Sequence, residues 1–337
     1  MTKPKIVTFG EILLRLSTPN YQKFNQAQSL NLTYGGTEMN VAAGLVNFGF
    51  EGTHVGVFPD NAIGKKATAF LRQLGLNTQY VVENGKRIGL FFLETGAVMR
   101  ASQIVYDRAD SAFANLDPSW FNWEEILQGA DWFHWCGITP ALSEGAAKAC
   151  LEAVKTAHRM GITVSSDIYY RSNLWNYGKT PQDILPEIAE YSNVILASRK
   201  NIEEIFGLKV EVEKGKFVAA AKLLMEKYPN IKKIVDSDRI QISASHNQYN
   251  AKMWNGEELL ETEYADITHI VDRIGTGDAF LAGLIYGQVV FKDDLKSLQF
   301  GVASCALKHT IEGDQNLVSV AEVEAVMGGD KSGRLRR

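Results

Sequence analysis

From about residue 129 onward, short runs of strand length alternate with helical patterns: Asp131 to Cys136, then Glu144 to Arg159, then Ile162 to Asp167. The rhythm continues through Asn193 to Ala197, the charged amphipathic stretch Val218 to Lys227, and Ile231 to Asp236. Helices starting at Gly277, Leu295 and Ser319 close the chain. This alternation predicts an α/β fold with a mostly parallel central sheet and helices on both faces. The first hundred residues differ. Helices are predicted over Glu38 to Phe48 and Ala62 to Leu74, but residues 12–34 and 87–106 are β-rich without helices of their own. These two excursions are expected to pair into a small sheet beside the main one. No Pro/Ser-rich linker, repeat or low-complexity segment interrupts the chain, so 1–337 is read as a single domain.

Composition narrows the class. With 337 residues, 45% hydrophobic and 22% charged, the chain can close a large core, which excludes disorder and a disulfide mini-protein. A formal net charge of -4 argues against wrapping a nucleic acid. Cys136, Cys150 and Cys305 form no CxxC pair, so a reducing cytoplasm is the expected location. The apolar run Ile6 to Gly10 is interrupted by Glu11 and Arg15 before a signal core forms, and no run of eighteen apolar residues suggests a membrane span. The basic tail Lys331 to Arg337 is read as a solvated end.

Several familiar sites are missing. Gly64-Lys65 is followed by Lys66, so there is no P-loop; Gly275-Thr276-Gly277 is followed by Phe280 where a dinucleotide fold needs its third glycine. Neither a GxSxG elbow nor HExxH spacing occurs. What remains is two glycine turns. The stronger is Asp272-Arg273-Ile274-Gly275-Thr276-Gly277-Asp278-Ala279-Phe280, expected to run from a β segment Thr268 to Val271 into an apolar helix ending near Phe291. A helix amino terminus offers unpaired N–H groups and a positive dipole end to an anion, so Gly275, Thr276 and Gly277 are a candidate anion hole. Asp278 stands in that first turn, where a carboxylate accepts a hydroxyl proton during phosphoryl transfer. Simple capping by Asp278 or Thr276 is the competing explanation. The weaker turn, Gly35-Gly36-Thr37-Glu38-Met39-Asn40-Val41-Ala42, reads as a helix start that Thr37 caps.

Together, in this order and separation, the two turns resemble the signatures of the ribokinase-like, PfkB-type carbohydrate kinases. The resemblance spans the whole chain and is similar in particular to 2-keto-3-deoxygluconate kinases, through Gly10-to-Ser17, Tyr106-to-Ala112, Arg171-to-Trp175, Lys308-to-Asp314 and Gly329-to-Arg334. It implies ATP and Mg2+ as cofactors, a keto-acid sugar as substrate phosphorylated on its terminal hydroxyl, and Asp278 as base. It further implies a sugar pocket of Gly35, Gly36, Asn40, Phe91, Tyr106 and Asp314, with Arg108 and Arg171 on the substrate carboxylate. Nucleotide contacts fall on Tyr169, Ser198, Ser237, Asp238, Gly275 and Gly277. The excursions 12–34 and 87–108 become a lid, and a homo-oligomer paired through that lid is expected, with no nucleic-acid or membrane partner.

Departures from the family pattern lie on the nucleotide side. Where relatives carry Asn-x-x-Glu, the chain reads Ser198-Arg199-Lys200-Asn201; Glu203 and Glu204 follow closely and could substitute in a water-mediated metal contact. Asp236-Ser237-Asp238 sets two carboxylates where a triphosphate is expected, and these would repel it. Tyr169 and Phe91 stand where relatives commonly show asparagine and tyrosine. The alternatives to an active keto-acid kinase are a sugar-acid binder with weak catalysis and a kinase of another sugar or nucleoside.

Overall fold

The computed structural model describes residues 3–169, 173–212, 214–330 and 332–333. Its main sheet has ten strands. Seven run parallel, in the order β5 (Val81–Glu83), β4 (Glu51–Phe58), β1 (Lys5–Phe9), β8 (Trp132–Cys136), β9 (Thr163–Asp167), β10 (Val194–Leu196) and β11 (Lys233–Ser243). Beyond β11 the direction reverses: β12 (His246–Trp254) is antiparallel to it, and β13 (Leu259–Glu261) and β14 (Ala265–Ile267) are antiparallel to β12.

The pleat decides which residues face which layer. Phe133, Ile195 and Ile234 point to one face, where α3 (Trp123–Ile126), α4 (Glu144–Arg159), α5 (Pro181–Ala189), α6 (Arg199–Phe206) and α7 (Lys216–Lys227) cover them. Their neighbours Trp132, Val194, Leu196 and Val235 point to the other, under α1 (Thr37–Asn47), α8 (Thr276–Val290), α9 (Asp294–Lys308) and α10 (Val320–Met327). Strands buried on both faces carry no polar alternation, which is why they read as continuous apolar runs.

The two early excursions do pair. A second sheet of four strands takes the order β3 (Asn31–Gly35), β2 (Leu13–Ser17), β6 (Gly89–Glu94) and β7 (Gln103–Asp107). Its Leu14 packs with Tyr34, Met39 and Leu71 against α1 and α2 (Ala62–Gln73). The opposite face carries Leu13, Phe91 and Leu93 against Ile274, so this sheet lies over the stronger glycine turn.

Three sequence expectations change. The segment after Ile231 does not stop at Asp236 but continues to Ser243 and returns as β12. Residues 268–271 are not a strand; the segment is tied at Val271 to the His309 carbonyl at the end of α9 instead, as described below. Thr37 does not cap α1, whose N-cap is the extended Gly36 without a side-chain bond.

Helix α8 is set against α9 by glycine. A Cβ on Gly283 would come 2.8 Å from Gly301 Cα and 3.0 Å from Ser304 Cβ, closer than packed atoms tolerate. Gly283→Val is therefore expected to push the helices apart and lower stability by about 1–3 kcal/mol, read as a lower urea midpoint. An unchanged midpoint would show that the two helices part freely.

Candidate active site

The stronger turn is fastened before it reaches α8. Val271 and Asp272 donate their N–H groups to the His309 carbonyl, at 2.8 and 3.2 Å, which ties the segment to the loop following α9. The Asp272 carboxylate then accepts from Ile274 N (2.9 Å) and from Gly313 N (3.1 Å). Gly275, at φ 77°, occupies the left-handed conformation that glycine adopts without penalty, and it is the N-cap of α8. The helix has no side-chain cap. Simple capping is thus not what Asp278 and Thr276 do: Thr276 Oγ1 donates to the Arg273 carbonyl (3.0 Å) and accepts from Arg239 (2.9 Å). Nothing lies within 4 Å of where a Cβ on Gly277 would sit, so the first turn opens onto space. The first N–H groups of a helix have no intrahelical partner, and here they stand beside open space, the arrangement that the expected anion hole requires.

Asp278, half-buried in that turn, accepts from Asn40 Nδ2 at 2.7 Å. Asn40 is itself held by Gln315, whose amide donates to Asn40 Oδ1 (3.1 Å) and to the Tyr34 carbonyl (2.8 Å). One hydrogen-bonded line therefore joins α8, α1 and the small sheet. Two residues before Asn40, Glu38 is 2% exposed, and its carboxylate accepts from Thr139 Oγ1 and from Cys136 N (3.2 Å). Burial pushes its carboxyl up to about 7, and the Asp278 charge adds to the shift.

Asp314 was expected to accept substrate hydroxyls. It is 2% exposed and takes Arg15 instead, at 2.6 Å. The other terminal nitrogen of Arg15 meets Asp272, also at 2.6 Å. Arg15 comes from β2, so a guanidinium reaches from the small sheet into the base of the turn. Asp314 also lies hard against Gly35 and Gly275, leaving no room for a Cβ at either. Burial pushes the Asp314 carboxyl up to about 6, against the pull of Arg15.

Among the other substrate candidates, Gly36 starts α1, and Phe91 is buried over Ile274 with its ring 6.0 Å from that of Tyr106. Tyr106 is 53% exposed on the edge strand. Arg108 does not pair with Asp107 or Asp110. Its Nε donates to Glu11 (2.9 Å), as does Nη2, while Ser111 donates to the other Glu11 oxygen. Arg171 lies outside the described residues.

On the nucleotide side the pleat of β11 separates what the sequence placed together. Ser237 and Arg239 point toward Tyr249, Tyr169 and α8. Asp236 and Asp238 point the other way, where Lys252 (3.3 Å) and the Tyr264 hydroxyl (2.9 Å) engage them. Neither Asp236 nor Asp238 therefore shares the Ser237–Arg239 face of the strand, though the Asp236 charge still reaches Tyr169. Tyr169 keeps its place beside Ser237, its phenol held neutral by burial. Ser198 is engaged in capping α6: its hydroxyl accepts from Asn201 N (3.2 Å) and donates to Asn201 Oδ1 (2.7 Å). Glu203 and Glu204 form ion pairs with Arg199 and Lys200 one turn earlier. Among the described residues no three His, Cys, Asp or Glu side chains converge on a metal position. The side chains thus offer no cage of their own for Mg2+, an ion that is commonly bound through substrate phosphates and retained waters.

The description pfkB family carbohydrate kinase matches residues 3–320. The chain belongs to that family. A solved 2-dehydro-3-deoxygluconokinase from Thermotoga maritima is 39% identical and superimposes with a TM-score of 0.91, over 97% of this chain and 99% of the other. A 2-dehydro-3-deoxygalactonokinase of Haloferax volcanii is 30% identical over 98% of each chain, and a 5-dehydro-2-deoxygluconokinase of Bacillus licheniformis is 24% identical over 96% and 95%.

Sequence reading of this carbohydrate kinase missed Glu11, Arg15, Glu38, Arg239 and Gln315 as site residues. For Glu11 and Arg15 a signal existed: a charge inside an apolar run must find a partner. Glu38 yields a test with a definite sign. Its carboxyl is shifted upward from 4.5, so its contribution to stability is present below about 4.5 and is lost as pH rises through about 7. Between pH 5 and 8.5 the wild type should lose roughly 3 kcal/mol relative to Glu38→Gln in urea titrations. A difference that stays constant with pH would mean Glu38 is ionised throughout.

Proposed function

We propose that this pfkB-family kinase transfers the terminal phosphoryl group of ATP to the terminal hydroxyl of a 2-keto-3-deoxy sugar acid, with 2-keto-3-deoxygluconate as the first substrate to test. The observation that carries the reading is the Asp278 carboxylate, fixed by Asn40 in the same helical turn whose N–H groups face open space at Gly277. Two of the relatives act, by name, on 2-dehydro-3-deoxy acids of the gluconate and galactonate series, which differ at one hydroxyl.

In this mechanism Asp278 accepts the proton of the attacking hydroxyl, and the N–H groups of the Gly275–Gly277 turn hold charge on the transferring phosphoryl. Mg2+ bound to the nucleotide would supply charge neutralisation at its β- and γ-phosphates. Arg108, together with Arg171, recognises the acid end. Glu11 orients the Arg108 fork through Nε and Nη2, while Nη1 makes no hydrogen bond among the described residues and is the atom offered to a carboxylate. The small sheet acts as the lid that excludes water as a competing acceptor, Phe91 and Leu93 supplying its apolar face. Its edge strand β7, exposed at Ile104, Val105 and Tyr106, is the surface on which a second copy pairs.

Asp278→Asn should lower kcat by a factor on the order of 10² to 10⁴ with little change in KM for the sugar acid, measured in an ATP-coupled assay. Retention of full kcat would remove Asp278 from the base role. A wild type that is stabilised thermally by the keto-acid yet turns nothing over would be a binder. Arg108→Ala should weaken the keto-acid more than a neutral hexose, because the contact assigned to it is with a carboxylate. Equal weakening of both sugars would place Arg108 outside the carboxylate subsite.

A further inference from the structure

Two hairpin tips, one from each sheet, meet in the structure. Pairing of β11 with β10 ends at Val235, yet β11 runs on to Ser243 and returns as β12, so this hairpin projects beyond its neighbour. From the small sheet the loop between β6 and β7 reaches it. Val98 N donates to Ser245 Oγ at 2.9 Å, and Ala244 N donates to the Val98 carbonyl at 2.8 Å. One residue thus spends both its backbone groups on a segment 147 positions away. Apolar packing does not accompany the contact: Val98 is 57% exposed and Met99 94%.

The loop is firm at its base and strained at its tip. Arg100 donates Nη1 to Glu94 (2.8 Å) and Nη2 to the carbonyls of Tyr21 (2.8 Å) and Thr95 (3.0 Å), while Gly96 N donates to Ser102 Oγ (2.9 Å). Arg100 N then closes a four-residue turn on the Ala97 carbonyl at 2.9 Å. Within that turn Val98 has φ 52° and Met99 does not share the positive sign, the pattern of a type II′ turn, whose first central position favours glycine. A β-branched residue in the left-handed region is an outlier, and it persists only where the surroundings hold it. Here they are two hydrogen bonds at an exposed tip, which open more easily than those of a packed ladder. Strain in the turn favours release; the two bonds favour closure.

We propose that the Val98 peptide and the Ala244–Ser245 tip form a latch. Made, it fastens the small sheet to the β11–β12 hairpin across the cleft; broken, it lets the sugar acid enter and the product leave. The proposal rests on the reading of the small sheet as a lid over a sugar site, and it adds the point at which that lid fastens and the strained turn that reopens it.

The test joins the tips covalently. Val98→Cys and Ser245→Cys are made singly and together in the full chain, where Cys136, Cys150 and Cys305 are buried and do not compete. The hydrogen bond from Val98 N to Ser245 Oγ keeps the two Cα atoms within disulfide reach. Oxidation should bridge the double variant, as read by mass spectrometry, and lower turnover of 2-keto-3-deoxygluconate on the order of 10-fold or more, with dithiothreitol restoring it. Neither single variant should lose turnover on oxidation. A second measurement needs no substrate: amide hydrogen exchange at Val98 and Ala244 should be on the order of 10-fold or more faster than in the paired strands β6 and β7. Full turnover in the bridged protein overturns the latch, as do cysteines that fail to bridge or tip amides protected as well as the strands. A chain whose cysteines bridge and whose tips exchange rapidly, yet which phosphorylates no keto-acid, leaves the latch standing while the proposed function falls. Keto-acid turnover that persists after bridging gives the reverse.

Discussion

The Arg15 guanidinium, 3% exposed and held at 2.6 Å by both Asp272 and Asp314, is the interaction on which the site depends. It joins three parts of the chain that are otherwise separate: β2 of the small sheet, the approach to α8, and the loop after α9. Lys308, fully buried at the end of α9 with its ammonium on the Ile311 carbonyl (3.0 Å), stands in the same field. Two cations and two carboxylates therefore balance inside the protein. Removing one partner from such a buried group typically costs about 3–5 kcal/mol, because the others are left uncompensated. The stabilising value of the intact cluster is smaller than that figure. Its larger consequence is geometric: Asp272 fixes the N–H of Ile274 while Asp314 fills the space under Gly35 and Gly275. The turn at Gly275 cannot shift without disturbing the sheet above it.

That constraint also positions Asp278. Its helix is pinned on one side by Gly283 against Gly301 and on the other by the turn anchored to Arg15. Asn40 supplies orientation, and Gln315 orients Asn40, so the carboxylate is positioned by a line of neutral amides. The charged cluster stays one layer below, where it shapes the backbone.

Much of this was legible in the sequence, and the parts that were not share a physical reason. The α4 limits, Glu144 to Arg159, follow from apolar spacing and the Ser143 cap. The pairing of the two β excursions followed from their lack of helices. By contrast, the β11–β12 hairpin carries Asp, Ser, Arg and Gln on a half-exposed surface, where period-two alternation is not apolar against polar and gives no strand signal. Residues 268–271 have strand-like composition, yet the N–H groups of Val271 and the following Asp272 go to His309, a partner 37 or more positions away that no local pattern reveals. The Arg15–Asp314 pair is separated by 299 residues. Capping of α6 by Ser198 and Asn201 is local and follows a known signature.

The histidines bear on why a carboxylate should be the base. Burial pushes His54 to about 4, His134 to about 3 and His309 to about 4, so all three are neutral over the range in which a proton must be taken up. Each is also occupied: His54 bonds Thr8, His134 bonds Ser165 and His309 bonds the Cys305 carbonyl. Glu38 has an affinity for protons near neutrality, but it is enclosed by Gly10, Thr139 and Cys136 and cannot meet an incoming hydroxyl. Asp278 combines a carboxylate, partial exposure and adjacency to unpaired N–H groups. As phosphoryl transfer proceeds, bond formation acidifies the attacking hydroxyl, so a fixed carboxylate suffices for the proposed role when geometry is supplied by the fold.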